Sequence, residues 1–104
     1  MRRYVGDRGI EGLQVTVDGV PLSPRTDVAE FSKNGFEWSY EGPEPLQLAL
    51  AILVDHLGND DVAKEVAPLF MRVVVANFSN EWEMTSIEID SMLNMLRQES
   101  HGNV

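Results

Sequence analysis

Two histidines and several close carboxylates are the residues of this chain best equipped for acid–base or metal chemistry. Asp55 and His56 are neighbours near the end of an apolar run. A general base needs a nucleophile and an oxyanion site converging on it. Adjacent helical side chains diverge by about 100°, so Asp55 and His56 form no dyad by themselves. A charged histidine near a helix C-terminus is stabilised by the dipole, which makes capping or solvent contact the simpler role. His101 falls near the end of the chain, and two histidines so placed make a poor metal set. Asp60 with Asp61, and Glu81 with Glu83, would work as a glycosidase pair only across a cleft of fixed width. Capping of a helix already explains the first pair. No EF-hand spacing, phosphate-binding loop, nucleophile elbow or dinucleotide fingerprint occurs. The residues therefore name no catalytic group, no cofactor and no metal ligand, and the protein is read as a non-enzyme.

Phe36, Trp38 and Tyr40 are spaced to stack bases on a single-strand platform. Glu37, Glu41 and Glu44 beside them carry the wrong sign for a nucleic-acid backbone. Core packing of at least two of the three is the better reading. Direct nucleic-acid binding and anionic membrane binding are also opposed by the net charge of −9. That charge is unevenly placed. Residues 1–35 carry five basic and five acidic side chains, whereas residues 36–104 carry three basic and twelve acidic ones. A field of this sign attracts basic partners.

The elements that must position these groups are legible in outline. With 104 residues and no cysteine, the protein is expected to be one domain without disulfides. Residues 1–42 read as mainly β, 43–98 as mainly α, and 99–104 as a flexible tail. The start, Met1 to Asp7, lacks the apolar core of a secretory signal, and the apolar run Leu48 to Val54 is too short to span a bilayer. A cytoplasmic setting is expected.

Leu13 to Val17 alternates like a half-buried strand, and Asp18-Gly19 is a hairpin turn signal. Val20-Pro21-Leu22 would return at an edge, because proline cannot donate to a ladder. Tyr4-Val5 adds a short strand. Phe36, Trp38 and Tyr40 alternate with Glu37 and Ser39, which predicts a further strand. Ser23 to Asn34 reads as a connection containing a turn around Asp27 to Phe31.

A helix is predicted from about Pro45 to Leu57, so apolar that only Gln47, Ala51 and Asp55 are left to meet water. Gln47 is expected to bond backbone in the preceding turn. Gly58 should end this helix and Asn59 should cap the next. Pro68 should kink or split that second helix. Asn77 to Glu83 reads as a connection with Trp82 packed. Thr85 and Glu88 form a capping box for a last helix running to about Arg97. The fold class is α+β: a small antiparallel sheet, made of the N-terminal hairpin and the aromatic strand, packed against about three helices.

The segment from Gly35 to Ala51 resembles a small family of unknown function, the domain-of-unknown-function family 6166. The family hallmark is a Gly-Phe-x-Trp-Gly-Tyr run, a glycine-rich turn ending in proline, and Ala-Gln-Leu-Ala-Leu-Ala. Gly35, Phe36, Trp38, Tyr40, Gly42, Pro45, Gln47, Leu48, Ala49, Leu50 and Ala51 match it. Tyr4-Val5-Gly6 and the stretch Trp82 to Ile89 are similar as well. The resemblance implies a viral or mobile-element setting and brings no activity with it. A glycine-rich turn ahead of a helix, as in the family hallmark, would in principle suit a phosphate. Here Pro43 and Pro45 remove N–H donors, and Glu41 and Glu44 repel an anion.

These readings converge on a small acidic protein-binding protein that blocks a basic, nucleic-acid-binding surface of a host defence complex, as an anti-CRISPR-like inhibitor would. The expected contact residues are Glu41, Glu44, Asp55, Asp60, Asp61, Glu65, Glu81 and Glu83. The alternatives are a structural or homodimeric protein using an apolar patch among Phe36, Trp38, Tyr40, Met92 and Met95, and an enzyme of unrecognised type. The protein is expected to act as a monomer or homodimer.

Overall fold

The computed structural model describes residues 1–101, with side chains through Arg97. Of the expected flexible tail at 99–104, residues 99–101 are helical, and the rest lies outside the described residues. Four strands form one antiparallel sheet: β1 (Arg3–Gly9), β2 (Gly12–Val17), β3 (Val20–Pro21) and β4 (Trp82–Thr85), in the order β3-β2-β1-β4. Three helices complete the α+β fold: α1 (Pro43–Leu57), α2 (Asp60–Val73) and α3 (Ser86–His101).

The β2–β3 hairpin forms where Asp18-Gly19 predicts it. Both turn residues have positive φ, at 51° and 82°, as a tight two-residue hairpin requires. Val17 pairs with Val20, and Thr16 with Pro21 at the sheet edge. β1 is longer than the expected Tyr4-Val5 and is interior to the sheet, between β2 and β4. Its Arg, Gly and Asp residues hide it from any β-propensity reading.

The predicted aromatic strand does not form. Residues 36–40 are irregular, and the fourth strand is instead Trp82–Thr85, inside and just after the stretch expected to be a connection. Gly35 at φ 84° and Ser39 at φ 79° break any extended run there. The Ser39 N–H bonds the Val75 carbonyl at 3.2 Å, outside any ladder. The alternation is real, but only Trp38 is fully buried; Phe36 is half-buried and Tyr40 exposed. β4 pairs with β1 in the register Arg3↔Thr85 to Gly6↔Trp82.

Tyr4 and Gly6 on β1, Val15 on β2, and Trp82 and Met84 on β4 share the buried face of the sheet. Gly6 lies beneath the Trp82 indole. A Cβ at that position would stand 2.1 Å from Trp82 Nε1, so the ring occupies the space a side chain would take. Trp82 also stacks on Phe78, with centroids 4.2 Å apart, and meets Trp38 edge to face at 5.8 Å.

α1 starts after Gly42 with Pro43 in its first turn, where a missing N–H costs nothing. It ends at Gly58, left-handed at φ 65°, whose N–H bonds the Val54 carbonyl. Gln47 to Val54 are all buried. The expected water-facing line of Gln47, Ala51 and Asp55 is therefore corrected. Gln47 and Ala51 are inaccessible, and Asp55 is only half-exposed.

The connection that follows β3 is held against Gln47. The Gln47 amide does bond backbone, though not in the turn just before it. Its Oε1 accepts from the N–H groups of Phe31 (2.7 Å) and Ser32 (3.1 Å). Its Nε2 donates to the carbonyls of Pro24 (2.6 Å) and Ala29 (3.0 Å). All four hydrogen-bonding positions of one buried amide are used.

Asn59 caps α2, accepting from the Val62 N–H at 3.1 Å. Pro68 does not split α2, which runs on to Val73. Pro68 is exposed, so the helical bond it cannot donate is lost on the solvent side, where water replaces it. Val73-Val74-Val75, strand-like in isolation, ends the helix and enters a 3-10 turn at Val75–Asn77. The capping box at α3 forms in both directions, Glu88 N–H to Thr85 Oγ1 (3.2 Å) and Thr85 N–H to Glu88 Oε1 (3.0 Å). α3 buries Ile89 and Leu96 and half-buries Met92 and Leu93.

Candidate functional site

The eight expected contact carboxylates divide by what they already hold. Glu44 accepts from Ser32 Oγ and the Tyr40 hydroxyl, both at 3.0 Å. Asp55 accepts from Arg2 and from the Tyr4 hydroxyl, both at 2.5 Å. Glu83 pairs with Arg3 at 2.5 Å across the open face of the sheet. Asp61 meets Lys64 only at 3.8 Å, one helical turn away. Glu41, Asp60, Glu65 and Glu81 are exposed and carry no ion pair among the described residues.

The eight do not form one cluster. Glu41 and Glu44 lie at the start of α1. Glu81 lies at the same end, because residues 38 and 39 are tied to residues 78 and 80: Ser39 Oγ donates to the Phe78 carbonyl, and Trp38 Nε1 to that of Asn80. α2 folds back along α1 after the short Gly58-Asn59 link. Asp60 and Asp61 therefore sit a helix length away, about 22 Å for fifteen residues at 1.5 Å each, and Glu65 lies between one and two turns back along α2.

Arg8 closes the first end, and no local pattern in the sequence marks it. Its guanidinium bonds Glu37 Oε1 at 2.6 Å, the Trp38 carbonyl at 2.7 Å and Asn80 Oδ1 at 2.5 Å. It also lies 4.8 Å from the Trp38 ring centroid, a cation–π distance. Burial works to raise the Glu37 pKa, but the Arg8 bond and the Trp38 N–H outweigh it and hold the carboxyl below its usual range. Tyr40 is shifted up by burial and by Glu44. At the exposed Arg25–Asp27 pair, the arginine lowers the Asp27 pKa.

The second polar cluster pins the N-terminal residues to α1 and α3. Burial pushes the Tyr4 phenol well above its ordinary value, and its bond to Asp55 adds to that. Arg2 reaches Asp55, while its backbone exchanges bonds with Ser86 at the head of α3. His56 Nε2 lies 2.6 Å from Asp90 Oδ1. The expected helix-end role of His56 thus becomes a link between α1 and α3. No nucleophile is bonded to this histidine among the described residues, so the pair lacks the third partner of a triad.

Among the described residues, no group of three or more His, Cys, Asp or Glu is placed to hold a metal ion. No described helix is long and apolar enough to cross a membrane. An apolar groove of about 340 Å³ opens between the end of α1, α2 and α3, floored by Val62, Val66, Leu69 and Leu93 and edged by Glu65 and Arg97. Of the residues expected to make an apolar patch, Trp38 is fully buried and Tyr40 and Met95 are exposed.

Fold and surface together define a small α+β protein with a sheet on one side, a nearly all-apolar central helix, and carboxylates at both ends of that helix. The protein belongs to the family of unknown function DUF6166, which matches residues 4–95. No curated protein and no solved structure matches it. Two of the residues that carry the resemblance acquire physical reasons here. Gly6 makes room for Trp82, and Gln47 anchors the connecting segment. Ser39 stands where the hallmark run has glycine, at a backbone angle that favours glycine.

Proposed function

We propose that the protein is an acidic binding protein that docks on a basic, nucleic-acid-holding surface of a partner protein and blocks it. In a viral or mobile-element setting, the partner would be a host defence complex in the cytoplasm, and the activity would be anti-CRISPR-like inhibition. The observation that carries this reading is the concentration of the whole −9 charge in residues 36–104, with Glu41, Asp60, Glu65 and Glu81 exposed and unpaired among the described residues. Carboxylates of this kind steer association and are released from no internal bond on docking. Glu44, Asp55 and Glu83 already hold internal partners, so they shape the surface more than they contact a partner.

The test is affinity capture from host lysate at low and high salt, with charge reversal at either end. Glu41→Lys with Glu81→Lys alters one end, and Asp60→Lys with Glu65→Lys the other. Loss of a salt-sensitive partner with at least one pair supports the proposal. A partner retained equally by both pairs overturns it.

A second reading, an apolar interaction protein or homodimer, is favoured by the groove between α1, α2 and α3. Light scattering that gives a strict monomer would remove the dimer form.

A further inference from the structure

We propose that Asn34–Gly35 is a self-modification site, at which the protein turns its own asparagine into aspartate or isoaspartate. Both residues are exposed, in the irregular segment before Trp38. With Leu13, Val15, Pro24 and Phe36 they line a groove of about 330 Å³. The reaction needs a backbone nitrogen free to attack the preceding side-chain amide. Among the described residues, no hydrogen bond engages the Gly35 N–H or the Asn34 side chain; Asn34 is bonded only through its backbone N–H, to Ser32 Oγ at 3.0 Å. Gly35 has no Cβ to shield its nitrogen, and its φ of 84° lies where only glycine rotates freely.

The other asparagines in the described side chains are protected. Asn59 Oδ1 caps α2, Asn77 Nδ2 donates to the Val73 carbonyl, and Asn80 Oδ1 accepts from Arg8. Asn94 lies within α3, where the next N–H belongs to the helix. Each of these four is followed by a residue with a side chain: Asp60, Phe78, Glu81 and Met95.

The step balances with water alone. Hydroxide takes the Gly35 amide proton, and the nitrogen attacks Asn34 Cγ. A new bond forms between that nitrogen and Cγ, the Asn34 Cγ–Nδ2 bond breaks, and ammonia leaves with a proton from water. The resulting five-membered imide opens by addition of water at either carbonyl. Opening at one carbonyl gives aspartate. Opening at the other gives isoaspartate, which routes the backbone through Cβ of residue 34, just ahead of Gly35 and Phe36. Either product adds a carboxylate to a protein already at −9.

The experiment holds the full-length protein in mildly alkaline buffer and follows each asparagine by peptide mass spectrometry and isoaspartate-specific methylation. Asn34 should convert roughly tenfold faster than Asn59, Asn77 or Asn80, the factor imposed by breaking one hydrogen bond before attack. The rate should rise with pH, and the isoaspartate signal should vanish in Asn34→Gln. Conversion at Asn34 no faster than at those three, or a signal that persists in Asn34→Gln, overturns the proposal.

Discussion

Trp38 and Trp82 sit edge to face in one aromatic cluster, yet opposite means hold them. Trp38 lies in an irregular segment. Polar bonds fix it: its indole N–H reaches the Asn80 carbonyl at 3.3 Å, Arg8 grips its own carbonyl, and Gln47 anchors the backbone upstream. Trp82 lies in a regular strand. Its backbone is paired with Gly6, its ring fills the space left by that glycine, and its buried Nε1 has no partner among the described residues. Where the backbone is regular, shape is enough to place a large side chain. Where it is irregular, directed hydrogen bonds replace the ladder.

That contrast is open to a graded set of substitutions, each read by urea denaturation unless stated. Gln47→Leu should be the most damaging, at roughly 3 kcal/mol or more, because four backbone groups of the connecting segment lose their partner at once. A cost under about 1 kcal/mol would mean that the segment is held by apolar contact instead. Gly6→Ala should cost about 2–3 kcal/mol, because it forces a methyl into a filled space. The same change combined with Trp82→Phe should recover part of that loss. A fully additive double variant would break the shape argument.

A smaller difference separates the two tryptophans themselves. Trp38→Phe should exceed Trp82→Phe by about 1 kcal/mol, since only the first discards a made indole bond. Equal costs would erase the distinction.

The smallest effect is at alkaline pH. The folded-state pKa of Tyr4 is raised above its ordinary value of 10.0. Its contribution is therefore fully present below that value and fades as pH climbs toward the folded one. Tyr4→Phe should flatten this alkaline limb of the stability curve. An unchanged limb would show that Tyr4 ionisation does not limit stability there.

How much of this was legible in the sequence follows the range of the interaction. The capping box at Thr85 and Glu88, the Asn59 cap, the Gly58 stop and the Asp18-Gly19 turn depend on neighbours within a few residues, and all form. β4 depends on pairing between residues such as Arg3 and Thr85, which no local pattern reports. The aromatic alternation at residues 36–40 misled for the same reason. Of the three alternating aromatics only Trp38 is buried, and the bonds of Ser39 and Trp38 to residues 75 and 80 decide the backbone. Gln47 was half-legible: a glutamine in an apolar helix demands partners, but its position does not say whose. The surface was least legible, because Glu44, Asp55 and Glu83 look like free charges until the arginines, tyrosines and serine that hold them are seen.

The fourfold bonding of Gln47 also bears on how the molecule opens. The segment from Pro24 to Ser32 has no strand or helix to unzip from one end. Two of its carbonyls and two of its N–H groups meet a single side-chain amide, so departure of that amide frees those four together. The Phe31 and Ser32 amide protons should then exchange with solvent as one cooperative unit, at a common opening free energy below that of the α1 core.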